Sequence, residues 1–227
     1  MNSSAGPTKP GLLRNPLFDQ WASGDPTEWT HTKTNATYSE LNHSDPESDT
    51  KRTVFARGLG FSRGDYIYAS NRGFRVTLAA AAAVGDWIVR QDAASTAGVI
   101  VHGRQSLVVR VVVRCNTEFN TLRSQVIGLV GTTDTYYLTP VSPSTGYDGT
   151  TGIWTSGSQL QWSTTSTDRV NLTMLTRHTV YGIPVPALPI GCTSVSVLIS
   201  NGSAGAQVID VGELAMVDRL DMLGGAG

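Results

Sequence analysis

Apolar and polar positions alternate with a period of two in several separate stretches of this chain. In "QSLVVRVVVRC", Leu107, Val109, Val111, Val113 and Cys115 fall on one side, and Val108, Arg110, Val112 and Arg114 on the other. Alternation carried by β-branched residues predicts a strand with one buried face. "CTSVSVLIS" repeats the pattern, with Val195, Val197 and Ile199 inward and Ser194, Ser196 and Ser200 outward. "AQVIDVGELAMV" sets Ile209, Val211, Ala215 and Val217 on one face. Shorter strands are expected at 74–78, 87–91, 125–130, 136–139, 160–163 and 170–175. Roughly ten short strands separated by Gly-rich turns predict an all-β sandwich or barrel.

One segment breaks the alternation. "LAAAAAV", Leu78 to Val84, holds five consecutive alanines, the best helix formers. A helix over 77–94 competes there with two strands joined across the alanines. Gly85 and the β-branched pair Ile88 and Val89 favour the strands. Residues 1–14 contain Gly6, Pro7, Pro10 and Gly11 without a periodic apolar pattern, so they read as an extended arm. One domain is expected over 15–222, with surface loops at 41–52 and 139–152 and a flexible tail at 223–227.

Composition narrows the function. Only 15% of the 227 residues are charged, against roughly 25% in an average soluble chain. The polar surface must therefore come from Ser, Thr, Asn, Gln and Gly. A net charge of −1 gives no electrostatic footprint for nucleic acid, and there is no basic amphipathic helix for a membrane surface. The start, "MNSSAGPTKPGLLRN", lacks a charged segment followed by an apolar run, so no signal peptide is expected. Two cysteines are too few for a disulfide scaffold or a four-thiolate zinc site. Cys115 has the parity of its strand's apolar face and Cys192 that of the serines, so both thiols are expected free.

Catalytic constellations are weak. The histidines His31, His43, His102 and His178 are scattered, with no HExxH, and there is no GxSxG, GxGxxG or GxxxxGK[ST]. Asp45, Glu47 and Asp49 alternate in "SDPESD" without the glycine and distal glutamate of a calcium loop. Nothing singles out a pair of acids for glycoside hydrolysis. Aromatic residues remain: Trp154 and Trp162 flank "TSGSQLQ", with Tyr137 and Tyr147 nearby in sequence. Rings of this kind stack on the CH faces of sugars while amide and charged side chains bind the hydroxyls. The competing reading puts the tryptophans in the core.

"NPLFDQWASGDPTEW" resembles the start of jelly-roll domains of the carbohydrate-binding-module type, through Asn15, Phe18, Asp19, Trp21, Gly24 and Trp29. A close variant of this motif is similar to domains of bacteriophage tail-fibre and other virion proteins; "TEW" stands here where Asp-Arg-Trp is usual. "GFRVTLAAAAAVGDWIVRQD", which ends near Gln91, and "AQVIDVGELAMVD" look like later pieces of the same pattern, in the same order. The resemblance implies a two-sheet antiparallel jelly-roll β-sandwich in which first and last strands pair. On this reading Phe18 and Trp21 lie in the first strand. It also implies, in some members, a structural calcium, here at Asp19 and Asp210; no other cofactor is expected.

The expected function is a non-enzymatic virion protein of a tailed phage, a capsid decoration or fibre component at the virion surface after synthesis in a host cytoplasm. Such a protein would dock through arm residues Pro7, Pro10, Leu12 and Leu13 onto other virion proteins or further copies of itself in a homo-oligomer. The alternative is a module binding a cell-surface glycan through Trp154, Tyr147, Trp162 and Tyr137. A polysaccharide hydrolase is the third reading.

Overall fold

The computed structural model describes residues 13–15, 18, 20–41, 73–91, 99–100, 107–141, 159–165, 169–176 and 179–218. Two short strands, β1 (Trp21–Ala22) and β2 (Asp25–Pro26), pair as a hairpin. Then come β3 (Thr30–Lys33), β4 (Ala36–Leu41), β5 (Gly73–Leu78), β6 (Trp87–Arg90), β7 (Val99–Ile100), β8 (Leu107–Cys115) and β9 (Asn120–Val130). The remaining strands are β10 (Thr133–Pro140), β11 (Leu160–Ser163), β12 (Val170–Met174), β13 (Thr179–Val185), β14 (Ser194–Asn201) and β15 (Gln207–Asp218).

These strands make an antiparallel jelly-roll β-sandwich. The larger sheet runs β11-β10-β9-β14-β6-β3, with β12 also on β9 and β7 on β14; the smaller runs β13-β8-β15-β5-β4. The core between them is lined by the alternate residues of each strand, among them Val109, Val111 and Val113 from β8 and Val195, Val197 and Ile199 from β14. The Tyr181 hydroxyl crosses it, donating from β13 to the Thr173 carbonyl on β12. The alanine run forms no helix: β5 ends at Leu78, and 79–86 turn into β6. Asp86 fixes that turn by accepting from the Ala83 amide at 2.9 Å and from Asn35 Nδ2 at 2.9 Å. Both cysteines are free, as expected.

Three expectations need correction. First, the outward serines of β14 are buried, with Ser194, Ser196 and Ser200 at 1% exposure or less. Second, β15 does not alternate throughout. Its register on β8 shifts between Val211 and Glu213, a bulge at Gly212. Ile209 and Val211 face the core before it and Leu214 and Met216 after it, so Ala215 moves to the outer face beside Arg110. A single extra residue inverts every later position.

Third, the opening motif does not pair with β15, whose neighbours are β8 and β5. Asn15 and Phe18 both have left-handed backbones (φ 44° and 54°), which ends any extended run. The segment instead folds into a corner held by the Asn15 amide. Its Nδ2 donates to the Gln20 and Thr27 carbonyls at 2.9 Å, and its Oδ1 accepts from the Gln20 amide at 3.2 Å. Trp29 Nε1 donates to the Asn15 carbonyl and Trp21 Nε1 to that of Phe18. The corner drives the Phe18 ring between Trp29 and Phe74, at centroid distances of 5.2 and 4.5 Å. Buried Gln91 ties the corner to β6, accepting from the Arg14 amide and donating to the Glu28 carbonyl. Leu13, expected in a docking arm, is 2% exposed and belongs to the core. Pro7, Pro10 and Leu12 lie outside the described residues.

Candidate functional site

Each sheet has an outer face, and the two differ in chemistry. On the smaller sheet the outer side chains are a charged ladder. Asp210 accepts from Arg75 Nε at 2.7 Å and from Arg114 Nε at 2.6 Å, and Glu213 pairs with Arg110 at 3.3 Å. Burial pushes the Glu213 carboxyl above the usual range, with Arg110 opposing it. Here each acid is tied to an arginine of a neighbouring strand.

The larger sheet presents hydroxyls, amides and guanidiniums. Register places Gln125, Ile127 and Leu129 of β9 beside Leu198, Ser196 and Ser194 of β14. All six are buried. Around this floor stand the exposed Gln161 of β11 and the partly exposed Tyr137 and Asp134 of β10, Asn171 of β12, Arg123 of β9 and Arg90 of β6. Arg90 lies across the floor. Its Nε donates to Ser196 Oγ at 3.2 Å, and its two terminal nitrogens bind both Asp134 oxygens at 2.8 and 2.6 Å, two strands beyond Ser196. At the other end Arg169, just before β12, reaches over β9 to donate to Ser200 Oγ at 2.6 Å. Burial and then the neighbouring Arg123 charge lower the Arg169 pKa from its ordinary value. Two polar atoms on this face, Ser194 Oγ and Asn171 Oδ1, are buried without a hydrogen-bond partner. Buried polar atoms are normally satisfied, so these two are exceptions to how the chain treats its interior polar groups.

The aromatic residues singled out in the sequence do not form one platform. Tyr137 pairs with Ser163, and Leu138 with Trp162. Tyr137 thus lies on the outer face, and Trp162 points with Leu138 toward the core. The Trp162 ring is half-buried against that core, and its Nε1 donates to the Ala187 carbonyl at 3.1 Å. Trp154 and Tyr147 lie outside the described residues. The calcium ligands fare similarly. Asp19 is outside the described residues, and both Asp210 oxygens are held by two guanidiniums. Calcium binds six to eight oxygens, and a carboxylate flanked by two arginine charges does not fit it. No cluster of three metal-ligating side chains occurs among the described residues.

No family model matches the chain, and no curated protein matches its sequence. Several solved structures align with most of this chain at low identity. TmCBM61, determined with β-1,4-galactotriose, is 8% identical, with a TM-score of 0.48 over 92% of this chain and 99% of its own. A putative sugar-binding protein from Bacteroides thetaiotaomicron is 8% identical, with a TM-score of 0.46 over 92% of this chain and 100% of its own. The enzymatically active domain of bacteriophage CBA120 tailspike protein 4 is 11% identical, with a TM-score of 0.47 over 91% of this chain. This chain spans 21% of that tailspike structure's length.

Reading by sequence missed Arg90, Arg123, Gln125, Asn171 and Arg169. The signal for two of them was present. In "NTLRSQVIGLV", Arg123 and Gln125 share parity with Ile127 and Leu129, opposite the core positions Leu122 and Val126. What the sequence withheld was that β12, β14 and β6 would bring their polar positions alongside.

Proposed function

We propose that this chain is a non-catalytic glycan-binding module whose ligand lies along the outer face of the larger sheet. The observation that carries the reading is the set of side chains on that face: Tyr137, Gln161, Asn171, Arg123, Arg90 and Asp134 around a buried floor with unsatisfied polar atoms. Sugars need planar amide and guanidinium donors, hydroxyl partners and a ring to stack on, and this face offers each. Binding rather than catalysis is favoured because the carboxylate on the described part of the face, Asp134, has both oxygens engaged by Arg90. The virion-docking reading rested on an arm; of its two described residues, Leu13 is packed in the core and Arg14 is tied to Gln91 and Glu28.

The test is affinity electrophoresis of the full chain through gels containing soluble polysaccharides, with a glycan array in parallel. Retardation by at least one polymer, weakened by Tyr137→Ala and Gln161→Ala, is the expected result. A blank array together with unretarded migration in every gel would sink the reading. Release of reducing sugar from labelled polymers would show that the module is an enzyme.

A further inference from the structure

The two ends of this outer face treat positive charge differently. At one end Arg90 is neutralised by Asp134. At the other, Arg123 and Arg169 are neighbours, and among the described residues neither has an acid paired to it. Arg123 is opposite Asn171 on one side and Ser200 on the other, with no ion-pair partner among the described residues. Arg169 spends one donor on Ser200 Oγ, and no other side chain among the described residues engages the rest of its guanidinium fork. Both side chains are partly buried. Two guanidiniums in a partly desolvated site repel each other, an arrangement that an anion between them relieves. Elsewhere among the described residues the β-strand arginines of the outer faces are paired: Arg75 and Arg114 with Asp210, Arg110 with Glu213, Arg90 with Asp134. The Arg123–Arg169 pair is therefore an exception to how this chain handles charge on its sheets.

We propose that Arg123 and Arg169 form a carboxylate-recognising subsite that selects glycans containing uronic acid. The proposal rests on the outer-face reading above. A planar carboxylate matches the fork of a guanidinium donor by donor, and charge-assisted bonds of this type are the strong ones. Ser200 Oγ holds the Arg169 head in place, and the Asn171 amide beside Arg123 is positioned for the hydroxyl next to the carboxylate on the same sugar ring. With a net charge of −1, the chain has no general attraction for polyanions, so selectivity must come from this local pair.

The experiment uses the full chain and a panel of uronate polymers (polygalacturonate, alginate and hyaluronan), each beside its carboxyl-reduced, neutral counterpart and beside dextran sulfate. At least one uronate polymer should bind about tenfold or more tightly than its reduced form, with affinity falling as salt rises. Arg123→Gln and Arg169→Gln should each collapse that ratio. Because Arg123→Gln also removes a like-charge contact, its melting temperature should hold or rise, which separates lost recognition from lost fold. Equal binding of acid and reduced polymers, or an unchanged ratio in both variants, would overturn the subsite while leaving the outer-face reading standing. Tighter binding of dextran sulfate than of every uronate polymer would overturn the carboxylate assignment. Failure of all polymers, charged and neutral, would remove both readings together.

Discussion

Removing the Phe18 ring empties the contact between Trp29 and Phe74, so Phe18→Ala is expected to cost about 3–5 kcal/mol, as large-to-small core changes do. Urea denaturation monitored by tryptophan fluorescence checks this. Trp21→Ala should cost clearly less. Its ring is only partly buried against the core, although the sequence motif gives both residues equal weight. Asp210 offers a sharper case. Its carboxylate is nearly inaccessible and holds Arg75 and Arg114. Asp210→Asn leaves two guanidiniums facing each other and is expected to cost about 3 kcal/mol, by the same denaturation measurement. Asp25 links this scale to pH. Burial alone would raise its pKa, but the Lys33 hydrogen bond and the His31 and Lys33 charges outweigh that and lower it. A carboxylate with a depressed folded pKa contributes stability above its unfolded pKa and loses it as pH falls through the folded value. Asp25→Asn should therefore flatten the acid side of a plot of melting temperature against pH.

At the scale of the strand, local pattern was a reliable guide and partnership was not. The β8 alternation reads directly from "LVVRVVVRC", because a half-buried strand needs nothing but parity. The alanine run was legible too, since Gly85 and the β-branched pair behind it oppose helix. The β15 bulge was not. Gly212 looks like any glycine in a strand, and only the register against β8 shows that it displaces Glu213 by one position. The bulge also sets a demand on β5. A Cβ on Gly73 would lie 2.5 Å from the Val211 carbonyl oxygen and 3.2 Å from Gly212 Cα. Both are backbone atoms, which cannot swing aside as a side chain can. Gly73→Ala is expected to lower stability by about 1–3 kcal/mol, read as a shifted denaturation midpoint. The burial of the β14 serines has the same origin as the missed bulge: it depends on the strands alongside, which no single stretch encodes.

For the whole molecule, the sandwich was legible from alternation, but the candidate site came from six strands, β6, β9, β10, β11, β12 and β14, spread between Trp87 and Asn201. Aromatic residues attracted attention as sugar platforms, yet the parity of β10 and β11 sends Tyr137 and Trp162 to opposite sides of the sheet. The two substitutions should thus separate. Tyr137→Ala is expected to weaken polysaccharide retardation with little change in melting temperature, and Trp162→Ala to lower melting temperature through lost packing. The reverse ordering would mean that the wrong face has been assigned to the ligand.

Both sheets share one architectural dependence. Among the described residues, the strand pair β4–β5 and the pair β8–β13 meet only through β15, and β9 meets β6 only through β14. These joining strands are the last two of the described strands in the order of synthesis. At roughly 5–20 residues/s on the ribosome, the emerging chain therefore carries four half-sheets with open edges for some seconds before the strands that unite them appear. A ribosome-bound chain stalled before Ser194 should be protease-sensitive along its whole exposed length, and one released beyond Asp218 should become resistant in a single step. The nascent chain, more than the finished one, is where this protein is exposed to mispairing and where a chaperone would find it.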